Sequence, residues 1–283
     1  MTYRTISVNP ISGALGAEIA GVDLARGGDD ETFGEIRQAL HENQVIFFRD
    51  QHLTPDQHLA FGRRFGDLQI HEFVEGMEEN EEILEVRKEA YETRNFGGGW
   101  HTDVSYLERP SLGSVLYARE VPDYGGDTMF SNQYFAYETL SDGMKSLLGD
   151  MSAIHSARRS YGLNARRLSD SEKSSMNFRF TEKAHTEIEH PVIRTHVESG
   201  RKALYVNGNF TVRFSDMTEE ESAPLLDYLY QHAVRPEFTC RFRWEKGSIA
   251  FWDNRAVQHS AINDYHGKRR VMHRVTIEGE RPV

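Results

Sequence analysis

A seven-residue stretch, Trp100-His101-Thr102-Asp103-Val104-Ser105-Tyr106, constrains this chain more than any other feature. It follows three consecutive glycines at 97–99 and is predicted to begin a short strand. Because residues i and i+2 of a strand point to the same face, His101 and Asp103 would reach one point together. One imidazole and one carboxylate are two thirds of the facial triad of two histidines and a carboxylate that holds non-haem Fe(II) and leaves coordination positions open.

The same His-x-acid spacing occurs at His185/Glu187 and at His196/Glu198, so spacing alone leaves three candidates. Context favours His101, which lies between a glycine hinge and an apolar, aromatic segment. The segment around residue 185 is polar, and the one at 196 runs directly into a turn signal at 198–200.

The third ligand has to come from another part of the chain, and His259 is the candidate. It follows a strand and the polar turn Trp252-Asp253-Asn254-Arg255. A lone histidine at a strand end is more often a structural residue. The motif at 101–103 and the two arginines that begin eleven residues after His259 favour the ligand interpretation.

Composition bounds the class of protein. The chain has 283 residues, a formal net charge of −11 and one cysteine, Cys240, which excludes an internal disulfide. The acidic balance argues against nucleic acid as a partner, and no run approaches the length of a membrane span. We expect a cytoplasmic protein with a single domain over residues 1–283 and a homo-oligomeric assembly, with no membrane partner.

Hydrophobic periodicity predicts many short strands and few helices. Helical patterns cover 31–43, 134–148 in two pieces and 218–232, and another begins at Thr54-Pro55; strand patterns include 45–48, 83–87, 112–119, 127–130, 238–244, 249–252 and 270–277. Residues 158–189 are polar and predicted to be a loop or lid. This pattern indicates a mainly β, double-sheet architecture with flanking helices.

The last predicted strand carries Arg270, Met272 and Arg274 on one face and a more apolar set on the other. If helices cover the apolar face, the two arginines point into the interior, where each needs an anionic partner. They stand about 13 Å apart along the strand, enough to bind two different anions on either side of a metal. Solvent exposure on an edge strand is an equally good interpretation of the periodicity.

Four motifs together closely resemble the taurine dioxygenase family, which also contains alkylsulfatase and phenoxyalkanoate dioxygenases. They are Trp100-His101-Thr102-Asp103, Gly125-Gly126-Asp127-Thr128, Trp252-Asp253-Asn254-Arg255 with His259, and Arg270-x-Met272-His273-Arg274. The resemblance implies a double-stranded β-helix (jelly-roll), clavaminate-synthase-like fold. It also implies an Fe(II)/2-oxoglutarate-dependent dioxygenase that consumes O2.

The resemblance also implies roles for individual residues. His101, Asp103 and His259 would ligate iron, and Thr128 and Arg270 would hold the distal carboxylate of 2-oxoglutarate. The expected substrate is a small organic anion, preferentially a taurine-like sulfonate, with an alkyl sulfate ester or a phenoxyalkanoate as the alternative. The substrate-binding positions carried over are His71, Val104, Tyr106, Tyr161, Phe210 and Arg274.

Three departures from the taurine enzyme fall at the far end of the substrate. Gly97 replaces an asparagine, Val74 a tyrosine and Tyr161 a phenylalanine. Gly97 and Val74 leave more room and less polarity, which favours a bulkier or more apolar tail than an aminoethyl group. Two other classes stay open on the residues: a hydrolase with zinc on the same three ligands, and a non-catalytic jelly-roll binding protein.

Overall fold

The computed structural model describes residues 3–165 and 174–283. Its helices are α1 (Asp30–Asn43), α2 (Pro55–Arg63), α3 (Gln133–Glu138), α4 (Asp142–Leu148), α5 (Arg158–Tyr161) and α6 (Glu219–Ala233), with short 3-10 helices at Leu24–Arg26, Glu182–His185 and Pro236–Phe238. Its strands are β1 (Ser7–Pro10), β2 (Ala17–Ala20), β3 (Val45–Phe48), β4 (Ile83–Lys88), β5 (Gly113–Glu120), β6 (Thr128–Asn132), β7 (Ser152–His155), β8 (Ile188–Pro191), β9 (Ile193–Thr195), β10 (Lys202–Leu204), β11 (Thr211–Phe214), β12 (Thr239–Phe242), β13 (Ile249–Asp253), β14 (Val257–Ala261) and β15 (Arg270–Ile277).

Two sheets enclose the main core. The larger has the strand order β1-β2-β3-β13-β5-β15-β4, and the smaller has the order β12-β6-β14. One hydrophobic cluster joins them: the ring of Phe47 on β3 stacks on that of Phe242 on β12 at 4.0 Å between centroids. The mainly β architecture with flanking helices is therefore confirmed.

Strand β3 shows why its apolar run is continuous. Val45 and Phe47 point into the core between the sheets, whereas Ile46 and Phe48 point to the opposite face and pack with residues of α1 and α2. Both faces of the strand are buried, so no position favours a polar side chain.

In β15, helices cover the apolar face of the strand, as one of the two interpretations of its sequence predicted. Met272 lies in the core between the sheets, and Val275 on the other face packs against Leu59 of α2. Arg270 and Arg274 therefore point inward, with only 4% and 5% of their surface exposed. The edge-strand, solvent-facing interpretation of these arginines is wrong.

Local signals set several element boundaries as predicted. Thr54 and Thr218 form capping boxes at the starts of α2 and α6, and Ser141 caps α4, which divides the 134–148 helical pattern into two pieces.

The 158–189 region is not a plain loop, since it contains α5, a 3-10 turn and β8; its residues 166–173 lie outside the described residues. No helix in the described ranges is long and apolar enough to cross a membrane. The assignment of one domain to residues 1–283 stays a prediction.

Candidate metal centre and anion pockets

The two candidate histidines are held against each other by the backbone. His101 donates its N–H to the carbonyl of His259 at 3.1 Å, and His259 donates to the carbonyl of His101 at 2.8 Å. Strand β14 carries His259 opposite Phe130 of β6, so the smaller sheet fixes this pair from one side. As a result, two residues that are 158 positions apart lie with ring centroids 4.2 Å from each other.

The prediction of a strand through Asp103 is wrong. Only His101 forms a strand-like bridge, and residues 103–106 form turns in which Val104 has a φ of +46°. The N–H of Asp103 bonds to the side chain of Asn254 at 3.3 Å, so it is not available for a strand ladder. Asp103 reaches the histidines through this turn, not through strand alternation.

His101, Asp103 and His259 are all buried, and their ligand atoms lie within 4.8 Å of one another. The Oδ1 atom of Asp103 stands 3.7 Å from Nε2 of His101 and 3.8 Å from Nε2 of His259. The Nδ1 atom of His101 lies 2.9 Å from the carbonyl of Gly99, which favours the tautomer with a free Nε2 lone pair. Two imidazoles and one carboxylate that converge in this way fit an iron ion of the facial-triad type.

Asp103 is ionised and surrounded by partners. Its Oδ2 accepts the hydroxyl of Ser114 at 2.8 Å, and its Oδ1 accepts Nη1 of Arg274 at 2.9 Å. Burial alone would raise the pKa of this carboxyl, but the charge of Arg274, together with His259 and His101, holds it well below its usual value.

The two other His-x-acid pairs serve structural roles. His196 bonds through Nε2 to Asp253 at 2.9 Å, and Glu198 accepts Nη1 of Arg255 at 2.6 Å. Glu187 accepts Arg213 at 2.7 Å. Within residues 3–165 and 174–283, the cluster at 101, 103 and 259 is the only group of three such side chains close enough to hold a metal ion.

Arg270 lies in a different environment from Arg274. Its Nε and Nη2 atoms are buried and have no hydrogen-bond partner among the described residues. Burial lowers the pKa of its guanidinium, and Tyr265 and Asp127 only partly oppose this. A small cavity of about 30 Å³ lies beside it and also touches Thr128, His259 and Arg274.

Thr128 can donate a hydrogen bond into this cavity. Its Oγ1 accepts the indole N–H of Trp244 at 2.9 Å, which leaves the hydroxyl proton free for a further acceptor. The unpaired donors of Arg270 and this hydroxyl suit a carboxylate.

His71 is neutral and oriented. Its Nδ1 accepts the N–H of Phe73 at 3.1 Å, so Nε2 carries the proton. Burial lowers the pKa of His71 to about 3, and the nearby charge of Arg274 lowers it further than Asp103 raises it. His71 thus offers one N–H donor on the side of the site where Arg274 lies.

A cleft of about 290 Å³ opens beside His101. Tyr161 and Phe210, both predicted pocket residues, line it, and Tyr106 packs on their rings at centroid distances of 6.2 and 4.9 Å. Val104 is buried in the same cluster. Sequence reasoning missed three further apolar residues of the lining, Phe96, Met176 and Phe178.

Comparisons with known proteins show the family to which this chain belongs. A family model described as "Taurine catabolism dioxygenase TauD, TfdA family" matches residues 7–276. An "Alpha-ketoglutarate-dependent sulfate ester dioxygenase" of Pseudomonas putida is 35% identical, covering 98% of this chain and 91% of that protein. An "Alpha-ketoglutarate-dependent 2,4-dichlorophenoxyacetate dioxygenase" of Cupriavidus pinatubonensis is 30% identical over 96% of this chain and 97% of its own length. The crystal structure of a taurine dioxygenase from Burkholderia xenovorans has a TM-score of 0.82 and 36% identity, with 99% of this chain and 91% of that chain covered.

Proposed function

Because this chain belongs to the TauD, TfdA family of jelly-roll, 2-oxoglutarate (alpha-ketoglutarate)-dependent dioxygenases, we propose that it hydroxylates a small organic anion, preferentially a taurine-like sulfonate. The observation that carries the proposal is the placement of Arg274 and His71 beside the buried cluster of two histidines and one aspartate. Hydroxylation of the carbon that bears the sulfonate would release sulfite and leave an aldehyde.

The metal site of the proposal is His101, Asp103 and His259. These three would hold Fe(II), which with 2-oxoglutarate supplies the activation of O2 and yields succinate and carbon dioxide. The chain's own contribution is to keep the two Nε2 lone pairs and one carboxylate oxygen converged. It also places aromatic side chains, Trp252 and Phe130, over the ring of His259 at centroid distances of 4.7 and 6.2 Å, which excludes water.

Arg270 and Thr128 would bind the distal carboxylate of 2-oxoglutarate. The unpaired Nε and Nη2 of Arg270 and the free hydroxyl proton of Thr128 are donors without acceptors among the described residues. A zinc hydrolase has no use for a buried guanidinium at this place, since only a bound anion would offset its desolvation.

Arg274 and His71 would bind the anionic head of the substrate. Nη1 of Arg274 is committed to Asp103, but its Nε is buried and unpaired. A tetrahedral anion could accept this Nε–H together with the Nε2–H of His71. His71 can donate this bond as a neutral imidazole, because its Nδ1 accepts the N–H of Phe73 and its Nε2 carries the proton.

The tail of the substrate would extend into the 290 Å³ cleft. Gly97 borders this cleft and has a φ of +78°. A Cβ atom at this position would lie 3.8 Å from Cε1 of His101. Because glycine has no side chain, space remains beside the metal cluster. Val74 is buried and pairs with Phe178, so it offers no polar group. We therefore propose an alkyl or aryl tail larger than aminoethyl.

A substrate screen tests the proposal. Alkylsulfonates of increasing length, alkyl sulfates and phenoxyalkanoates are compared by succinate formation, and released sulfite or sulfate separates the first two classes. We expect an apolar alkylsulfonate to be the best substrate. If an alkyl sulfate is clearly better, the alternative reaction replaces the sulfonate proposal; if taurine is best, the tail proposal is wrong.

Arg274→Ala is the matching variant. It should lose turnover of every anionic substrate while the affinity for 2-oxoglutarate stays within a fewfold of wild type. His273→Gln, on the opposite face of β15, is the control and should keep turnover. Equal turnover of anionic and uncharged substrates would contradict the head-group proposal.

A further inference from the structure

The side chain of Asn254 connects two parts of the metal cluster. Its Oδ1 accepts the N–H of Asp103 at 3.3 Å and the indole N–H of Trp252 at 2.9 Å. Its Nδ2 donates to the hydroxyl of Ser111 at 2.9 Å and to that of Ser114 at 3.2 Å. All four hydrogen-bonding positions of one buried amide are thus in use, which fixes its orientation.

This arrangement also fixes the direction of the Ser114 hydroxyl. Because the hydroxyl oxygen of Ser114 accepts a hydrogen bond from Nδ2 of Asn254, its own O–H is directed at another acceptor. That acceptor is Oδ2 of Asp103, at 2.8 Å. Both residues are buried, with 0% of the Ser114 surface and 1% of the Asn254 surface exposed, so water does not compete for these bonds.

The second branch of the network reaches His259 through Trp252. The indole is held by Asn254, and its ring lies 4.7 Å from the ring of His259. The amide of Asn254 therefore holds the backbone of Asp103 directly and its carboxylate through Ser114. It also holds Trp252, which packs against the ring of His259.

The turn that carries Asn254 is itself braced. Asp253 and Arg255 form two side-chain hydrogen bonds of 2.9 and 2.7 Å, and the backbone N–H of Asn254 bonds to the carbonyl of Leu112 on the way into β5. Ser114 stands on β5, two residues further. The turn and the strand thus present their side chains to Asp103 from fixed backbones.

We propose that Ser114 and Asn254 are positioning residues that keep Asp103 a ligand through one oxygen only. This rests on the proposed metal site. Oδ2 is held by Ser114, so the oxygen that faces the two histidines is Oδ1, which also accepts Nη1 of Arg274. A carboxylate free to rotate could bind a metal through both oxygens and would then occupy a position that the cosubstrate or oxygen needs.

Two sequence signals accompany this network, although neither was sufficient to predict it. Asn254 lies in a polar turn that interrupts two buried strands, and Ser114 is a small polar residue in the buried part of β5. Their sequence separation of 140 hides the contact from any local pattern.

The test is Co(II) binding to the metal-free protein by calorimetry, which does not depend on turnover. Ser114→Ala should weaken binding roughly 10- to 100-fold, the usual effect of removing a partner of a metal ligand, and Ser114→Thr, which restores a hydroxyl, should recover most of it. Asn254→Ala should weaken binding at least as much as Ser114→Ala. The Co(II) absorption spectrum should also change in intensity in Ser114→Ala, because a second carboxylate oxygen raises the coordination number.

Ser222→Ala is the matched control. Ser222 on α6 is also fully buried, and its hydroxyl accepts the N–H of Phe214 and donates to the carbonyl of Thr218, with no hydrogen bond to the three candidate ligands. It should bind Co(II) as wild type does, which separates positioning from general destabilisation. If Ser114→Ala binds Co(II) as tightly as wild type with an unchanged spectrum, the positioning proposal is wrong. If wild type itself binds no Co(II), the metal site fails and this inference fails with it.

Discussion

Arg270 and Arg274 lie on the same face of β15 and are equally buried, but they differ in their partners. Arg274 forms an ion pair with Asp103 at 2.9 Å, whereas Arg270 has two buried nitrogens without a partner among the described residues. Burial lowers the pKa of Arg270. The charge of Arg274 is therefore balanced by Asp103 of the protein itself, whereas the charge of Arg270 requires an anion from outside.

The largest effect is expected when one of the candidate metal ligands is removed. His259→Ala deletes one of three candidate ligands and should reduce turnover to background, with a circular-dichroism spectrum like that of wild type. Oxygen uptake and succinate formation are the measurements. Near-normal turnover in this variant would mean that the cluster at 101, 103 and 259 is not the metal site.

The second effect concerns the cosubstrate. Arg270→Ala should raise the KM for 2-oxoglutarate by roughly a hundredfold or more, because loss of a buried charged partner costs about 3–5 kcal/mol. Arg270→Lys should recover only part of this, since an ammonium cannot form the planar two-point contact. An unchanged KM in Arg270→Ala would show that the unpaired guanidinium serves another ligand.

The third expected effect is a difference between Arg270 and Arg274 in their contributions to the free energy of unfolding of the ligand-free protein. Arg274→Met leaves Asp103 without its buried partner and should lower the free energy of unfolding of the apoprotein by about 3 kcal/mol. Arg270→Met removes unpaired donors and should be neutral or stabilising. Chemical denaturation of both metal-free variants checks this. Equal losses would contradict the claim that Asp103 stabilises the buried charge of Arg274 while no described carboxylate forms an ion pair with Arg270.

The smallest effect is a pH dependence of the free energy of unfolding. It arises from Glu198, which pairs with Arg255 beside Asn254. Hydrogen bonds from His41 and Arg255 lower the pKa of Glu198 from 4.5 to about 2. A lowered pKa means that the stabilisation is present above pH 4.5 and is lost as the pH falls toward 2. Because Glu198 is one third exposed, we expect only about 1 kcal/mol. Glu198→Gln should therefore be less stable than wild type at pH 7, and the difference should disappear in acid.

Much of the fold could be predicted from the sequence, because it depends on local patterns. The two-residue alternation of residue types located β15, and the continuous apolar run located β3. The capping residues Thr54 and Thr218 marked two helix starts. The orientation of Arg270 and Arg274 was undecided, since periodicity states which residues share a face but not which face is covered. That decision depends on the packing of α2 against Val275.

The sequence was sufficient to name three candidate ligands that lie together in the fold, but not to give their geometry. His101 and Asp103 were identified by their spacing, yet the strand that the spacing suggested is a turn, because the side chain of Asn254 takes the N–H of Asp103. The bonds of Asn254 to Ser114 and Asp103 connect positions far apart in sequence. Side-chain hydrogen bonds between distant segments leave no periodicity for a sequence to show.

The requirement of Arg270 for an outside anion can be measured by the thermal stability of the protein in three states: metal-free, with Mn(II), and with Mn(II) plus 2-oxoglutarate. In wild type, each addition should raise the melting temperature. In Arg270→Ala, the Mn(II) increment should remain and the 2-oxoglutarate increment should be almost lost, whereas His259→Ala should lose the Mn(II) increment. If Arg270→Ala keeps the full 2-oxoglutarate increment, Arg270 does not bind the cosubstrate, and the proposal that an outside anion pairs with Arg270 is wrong.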